Sequence, residues 1–108
     1  MIKIEIMKIG NTVLGYHITG HANYAPYGKD IICAAISVLA ISTKNALKDV
    51  VKADIEIKEQ PGDMLITLNN VNNYDTYKEV QIILKSFTNA VTNLAHDYPN
   101  NIEIINTK

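Results

Sequence analysis

The chain has 108 residues and a formal net charge of −1 at pH 7, which predicts one domain over residues 1–108. Hydrophobic residues make up 47% of it, so a packed core needs neither a disulfide nor a structural metal. All ten basic residues are lysine and tryptophan is absent. Direct nucleic-acid binding, which favours arginine and aromatic stacking platforms, is therefore disfavoured.

Two alternating segments open the chain and predict a β-hairpin. Residues 2–8 alternate isoleucine with other side chains, which is the period of a strand. Gly10 and Asn11 form a turn, and residues 13–19 form a second strand. The alternation predicts one common face for three of its side chains, Leu14, Tyr16 and Ile18.

The next segment changes from an irregular loop to an apolar helix. Residues 20–29 contain two glycines and a proline and show no periodicity, as is typical of a loop. Asp30 stands where an N-cap is expected, and the helix should run from Ile31 to about Val51. Its first half, Ile31 to Ile41, is apolar on nearly every side, so we expect that half to be buried all round.

The second half of the chain repeats the arrangement of strands followed by a helix. Residues 55–58 and 64–68 predict two strands joined by a turn at 60–63. Apolar residues then recur at three and four positions from Val80 to Tyr98, which indicates an amphipathic helix. A short strand follows at 102–105. The order ββαββαβ predicts an α+β fold with two helices packed on one mixed or antiparallel sheet.

The single cysteine and the N-terminal pattern indicate a compartment. One unpaired thiol suits a reducing environment. The chain starts directly with alternating residues rather than a signal-peptide layout, and no uninterrupted apolar run reaches the roughly 18–20 residues of a membrane span. We expect a cytoplasmic protein with no membrane partner.

Three histidines and one cysteine are the candidates for reactive groups. His96 falls on the polar side of the second helix, and His17 lies on the strand face opposite Tyr16, so both are interpreted as surface residues. His21 differs because it stands at the end of a strand and at the mouth of the loop, where binding and catalytic groups concentrate. One cysteine and one nearby histidine are too few for a zinc site, so neither a metal nor another cofactor is expected.

Cys33 is predicted to be the third residue of the first helix. There its sulfur would lie near unpaired backbone N–H groups and the positive end of the helix dipole, which favours the thiolate. The dipole alone contributes typically ~0.3–1 kcal/mol, so full activation needs a base, and His21 is close enough in sequence to supply it. The alternative is that Cys33 is simply a small buried hydrophobic residue.

The segment from Gly20 to Ser37, GHANYAPYGKDIICAAIS, resembles the signature of the ribosomal-processing cysteine protease family, Prp. The family pattern is Gly-His-Ala, a short loop containing a glycine, then Asp-Ile-(Val or Ile)-Cys-Ala-Ala-(Val or Ile)-Ser. Every fixed position is matched here. The resemblance implies a Cys33–His21 dyad, with Gly20, Asp30 and Ser37 as supporting residues.

The resemblance also implies a substrate and an assembly. Members of the family remove a short N-terminal extension from large-subunit ribosomal protein L twenty-seven, cleaving after a phenylalanine. They resemble one another in forming homodimers and in using a flexible loop that rearranges to admit the peptide. That loop corresponds here to residues 22–29, and its candidate substrate-contacting residues are Ala22, Tyr24, Tyr27 and Gly28.

Several alternatives stay open at the level of the sequence. The loop could be mobile until peptide binds, or rigid with its tyrosines packed locally. Asp30 could cap the helix, orient His21 or attract basic residues of the substrate. The backbone N–H groups at the helix start are expected to stabilise the oxyanion. The rival function is a non-catalytic ribosome-associated binding module that keeps the dyad as a relic.

Overall fold

The computed structural model describes residues 1–21, 25–26, 30–70 and 74–107. Five strands and two helices follow one another in the predicted order. The strands are β1 (Ile2–Ile9), β2 (Thr12–Gly20), β3 (Ile55–Gln60), β4 (Asp63–Leu68) and β5 (Ile102–Thr107). The helices are α1 (Ile31–Asn45), which continues as a π-helical turn over Ala46–Val50, and α2 (Tyr74–Asp97).

The strands form one mixed sheet in the order β3-β4-β2-β1-β5. Both predicted hairpins are present, because β1 pairs with β2 and β3 pairs with β4 in antiparallel fashion. The chain then adds β5 parallel to β1 and β4 antiparallel to β2. The α+β prediction, with two helices and a mixed sheet, is confirmed.

One predicted strand face is wrong at its first residue. The register of the β1–β2 pair shifts between Met7 and Lys8, so that Met7 pairs with Gly15 and Lys8 pairs with Val13. The extra residue is Leu14, and a bulge of this kind turns the alternation over. Val13 is therefore 2% exposed in the core while Leu14 is only partly buried. Tyr16 and Ile18 keep the predicted core face.

Gln81 of α2 completes the backbone bonding beside this bulge. Its Oε1 accepts a hydrogen bond from the Val13 N–H, and its Nε2 donates to the Val13 carbonyl, each at 2.8 Å. β4 pairs with β2 only from Gly15 to Thr19, so the glutamine supplies bonds that a neighbouring strand would otherwise make. Its side chain is 5% exposed and fully satisfied, as a buried amide must be.

The outer side of α1 contradicts the expectation of burial all round. One face enters the core through Ile32, Ile36 and Ala40. The opposite face leaves three large apolar residues in solvent: Ile31 is 62% exposed, Val38 66% and Ile41 43%. The apolar residues of this half of the helix therefore include some that the fold of a single chain leaves exposed.

The helix Ile31–Val50 is also long and apolar enough to cross a membrane by length and composition, with a mean hydropathy of 1.4 over its most apolar window. The core helix of a soluble protein meets the same criterion. Here the helix begins at a polar cap and packs one face against the sheet and α2. Its composition is thereby explained in part by packing within the domain.

Tyr16 connects the sheet to both helices. Its ring stacks on Phe87 of α2 with centroids 4.3 Å apart, and its hydroxyl donates to the Ala40 carbonyl of α1 at 2.8 Å. Burial, helped by the negative charge of Glu59, raises the pKa of the Tyr16 hydroxyl above its ordinary value. The hydroxyl therefore stays protonated as a donor in the core.

Candidate active site

A cleft of about 470 Å³ opens between α1 and the ends of β2, β3 and β4. Its apolar surface comes from both layers of the fold, chiefly Ile18, Ile36 and Met64. His21 and Cys33, the two residues of the predicted dyad, both line it. The cleft is also lined by Ile2, Gly20, Ser37, Ala40, Ile41, Glu59, Gln60, Pro61, Gly62 and Asp63.

Asp30 is the N-cap of α1, as the sequence predicts. Its Oδ1 accepts hydrogen bonds from the backbone N–H groups of Ile32 and Cys33, each at 3.0 Å. Cys33 is therefore the third residue of the helix, and its position is fixed by the cap. Its side chain is partly buried and packs against the edge of the hydrophobic core.

The same cap bears on one expectation about the helix start. Of the backbone N–H groups there, which are expected to stabilise an oxyanion, those of Ile32 and Cys33 donate to the Asp30 carboxylate. The Ala34 N–H is likewise taken, by the Asp30 carbonyl at 3.1 Å. An anion at Cys33 therefore shares the helix terminus with a carboxylate, which offsets part of the favourable dipole.

His21 follows β2 and lies beside the turn that joins β3 to β4. A Cβ placed on Gly62 would lie 3.6 Å from His21 Nε2, so the ring rests against this glycine. The backbone that precedes His21 is held by a hydrogen bond of 3.1 Å from the Gly20 N–H to the Gly62 carbonyl. The residue itself is exposed, which leaves its ring accessible from the cleft.

Gly20 is required by the backbone geometry at the end of β2. Its φ of +87° belongs to a region that glycine tolerates, and a Cβ there would come within 2.5 Å of the Met1 carbonyl oxygen. Glycine is thus required by a close approach of two backbones. This fixes the direction in which the chain leaves β2 toward His21.

The remaining predicted residues divide into those described and those outside the described ranges. Ser37 lies one turn beyond Cys33 and lines the cleft. The loop residues Ala22, Tyr24, Tyr27 and Gly28 lie outside the described residues. His96 is a surface residue with 89% of its side chain exposed. Within the ranges described, no cluster of three or more histidine, cysteine, aspartate or glutamate side chains could hold a metal ion.

Sequence reasoning missed the part of the cleft that comes from the second hairpin. Residues 60–63 were predicted correctly as a turn, but nothing in them indicated a position beside His21. That position follows from the pairing of β2 with β4, in which Thr19 faces Asp63. Two carboxylates of this wall already have partners: Glu59 pairs with Lys44 of α1, and Asp63 pairs with His17 of β2.

Comparison with known proteins assigns the chain to a family. The model of the family described as "Cysteine protease Prp" matches residues 1–103. The chain belongs to the Prp family of cysteine proteases. It is 24% identical over 96 residues to the ribosomal processing cysteine protease Prp of Bacillus subtilis, covering 85% of this chain and 84% of that protein. The Staphylococcus aureus Prp is 29% identical over 87 residues, covering 79% and 78% of the two chains.

Solved structures of the family share the whole fold. The S. aureus Prp bound to a covalently linked product peptide superposes with a TM-score of 0.89 at 25% identity, covering 99% of this chain and 100% of that one. A Streptococcus mutans protein superposes with a TM-score of 0.76 at 26% identity, covering 99% and 96%. This chain is therefore a cysteine protease of the ribosomal processing type, with the fold of its peptide-bound relative.

Proposed function

We propose that this chain is the endopeptidase that removes the short N-terminal extension of ribosomal protein L twenty-seven, cleaving after a phenylalanine. Cys33 is the nucleophile and His21 the base. The observation that carries the proposal is that both line one apolar cleft, with Cys33 in the first turn of a capped helix. Membership of the family, and the covalently linked product peptide in the S. aureus structure, support a covalent mechanism.

In the proposed mechanism His21 takes the proton of the Cys33 thiol, and the sulfur attacks the carbonyl carbon of the scissile bond. The tetrahedral intermediate collapses to a thioester as His21 gives the proton to the leaving amine. Water, deprotonated by His21, then attacks the thioester and releases the acid product and the thiol. Because the cap occupies the N–H groups of Ile32 and Cys33, another donor stabilises the oxyanion, or Asp30 withdraws when peptide binds.

The shape and polarity of the cleft support an apolar residue beside the scissile bond. Ile18, Ile36 and Met64 offer an apolar lining next to Cys33, and burying an aromatic side chain there is favourable. Ser37 contacts the peptide from α1 in this proposal. The loop residues Ala22, Tyr24, Tyr27 and Gly28 are further substrate-contacting residues in this proposal.

Three further statements belong to the same proposal. Residues 1–108 form a single peptidase domain, it works in the cytoplasm where its ribosomal substrate is made, and it forms a homodimer. The dimer is supported by the exposed apolar side chains of α1 that lie outside the cleft, Ile31 and Val38. A face of this kind is more often covered by a partner than left in water.

The test is incubation of the protein with a peptide that spans the extension's junction, followed by mass spectrometry. The wild-type protein is expected to give two fragments divided after the phenylalanine, and Cys33→Ala to give none. A peptide with alanine in place of that phenylalanine is the substrate control and should be cut at least about tenfold more slowly. Binding without cleavage by the wild type would instead favour the non-catalytic binding module.

A further inference from the structure

The turn between β3 and β4 contacts the chain next to His21 through two glycines, Gly62 of the turn and Gly20 of β2. The Gly20 N–H donates to the Gly62 carbonyl at 3.1 Å, which extends the β2–β4 pairing beyond its last residue pair, Thr19 and Asp63. Gly62 has a φ of +75°, and the space where its Cβ would be lies 3.6 Å from His21 Nε2. The position of the histidine ring therefore depends on where this turn lies.

A histidine–carboxylate contact on the other face of the sheet fixes the same turn. His17 pairs with Leu65 in the β2–β4 register, and Asp63 lies diagonally from it on the same face. Asp63 Oδ1 is 2.8 Å from His17 Nε2, and Glu5 Oε1 of β1 is 3.9 Å from His17 Nδ1. His17 thus has a carboxylate at each ring nitrogen and connects three neighbouring strands.

We propose that Gly62, Asp63 and His17 are positioning residues for His21. The His17–Asp63 contact holds the start of β4, the adjacent Gly62 carbonyl holds the Gly20 N–H, and Gly62 lies beside the His21 ring in the wall of the cleft. None of the three is the nucleophile or the base of the proposed reaction. The inference rests on the proposed Cys33–His21 dyad and adds to it the structural element that orients the base.

Two turn glycines provide a matched test. Gly62 and Gly10 both have positive φ, +75° and +60°, but a Cβ on Gly10 would meet nothing within 4 Å. Asparagine tolerates this backbone region better than most residues, so Gly62→Asn and Gly10→Asn carry similar backbone strain. Only at position 62 does the new side chain enter the space against the His21 ring.

The expected result is a loss of at least about tenfold in kcat for Gly62→Asn, because small displacements of a catalytic group are costly. KM should stay within about twofold, and Gly10→Asn should match the wild type. The second readout is the rate of Cys33 alkylation by iodoacetamide against pH. Gly62→Asn should shift this curve toward that of His21→Ala, which a purely structural role would not do.

A second pair of variants keeps the inference testable if Gly62→Asn does not fold. Asp63→Asn removes the carboxylate that faces His17, and Glu56→Gln removes one from β3 that pairs with the exposed Lys58. Asp63→Asn should lower kcat and shift the alkylation curve, while Glu56→Gln should do neither. The inference would be overturned if the two variants of either folded pair gave the same kcat and the same alkylation curve.

A wild-type protein that cleaves no peptide would refute the proposed function. The positioning role of Gly62, Asp63 and His17 would then be decided by the alkylation curves alone.

Discussion

The two helices pack on the same face of one sheet, yet they differ in how many of their apolar side chains the fold buries. α2 buries Val80, Leu84, Phe87 and Val91 and presents mainly polar side chains outward, with Tyr77 and Ile82 as its exposed large apolar residues. α1 keeps apolar residues on both sides and carries Cys33 in its first turn. Packing within one chain accounts for the pattern of α2. It does not account for the exposed apolar residues of α1, which the proposed dimer would cover.

The sharpest consequence of this difference concerns Cys33. Cys33→Ala should abolish peptide cleavage, because in the proposed mechanism the sulfur forms the covalent bond, while lowering the free energy of unfolding by no more than ~1–2 kcal/mol. Cleavage is measured by mass spectrometry and stability by urea unfolding. Cys33→Ser is the companion variant and should also be inactive. A folded Cys33→Ala protein that turns over peptide would remove Cys33 from the mechanism.

The opposite behaviour is expected from α2. Gln81→Leu leaves the Val13 N–H and carbonyl buried without partners, and each such group costs about 1–3 kcal/mol. The free energy of unfolding should fall by about 2–4 kcal/mol, with kcat per folded molecule unchanged. Asn89→Leu, on the exposed side of the same helix, is the control and should change stability by less than about 0.5 kcal/mol. Equal stabilities of the two variants would disprove the role given to Gln81.

The outer faces of the helices can be compared directly through two residues of similar exposure. Val38 on α1 is 66% exposed and Ile82 on α2 is 57% exposed. If the α1 face joins two copies, Val38→Lys should halve the mass measured by light scattering at micromolar concentration, whereas Ile82→Lys should leave it unchanged. A monomeric wild-type protein, or a dimer indifferent to Val38→Lys, would exclude this face as the interface.

The smallest effect is expected at Tyr16, which touches both helices. Tyr16→Phe keeps the stacking on Phe87 but removes the hydrogen bond to the Ala40 carbonyl, for a loss of about 1 kcal/mol. Since burial raises the pKa of the Tyr16 hydroxyl, only the unfolded state ionises it just above its ordinary pKa of about 10. Stability contributed by this group is complete below about pH 10 and is lost as the pH rises beyond it. The variant should lack that alkaline decline in thermal unfolding, and an identical decline would assign it to other groups.

Much of the fold was predictable because its signals are local. Alternation gave the strands, periodicity gave α2, and Asp30 before an apolar run gave the helix start that places Cys33. Leu14 was assigned to the wrong face because a bulge depends on the partner strand. The exposure of Val38 was missed because an apolar sequence does not show whether a helix face packs against the same chain or against a second molecule.

The site was predictable to the extent that it is contiguous in sequence. His21 and Cys33 lie within one motif, whereas Gly62 and Asp63 come to the cleft only through the pairing of β2 with β4. Strand order is decided by contacts between distant residues, and the turn at 60–63 carries no mark of its neighbour. His17 lies on the sheet surface as predicted, with 32% of its side chain exposed, but its contact with Asp63 was not predictable for the same reason.

The central claim is that His21 activates Cys33, and the pH dependence of thiol alkylation tests it most directly. The rate of iodoacetamide labelling of Cys33 should rise at lower pH in the wild type than for a free thiol, since a neighbouring base favours the thiolate. In His21→Ala the midpoint of that rise should move to higher pH, because only the partly neutralised helix terminus remains to favour the anion. If the two proteins label with the same pH profile, His21 is not the partner of Cys33 and the proposed dyad is wrong.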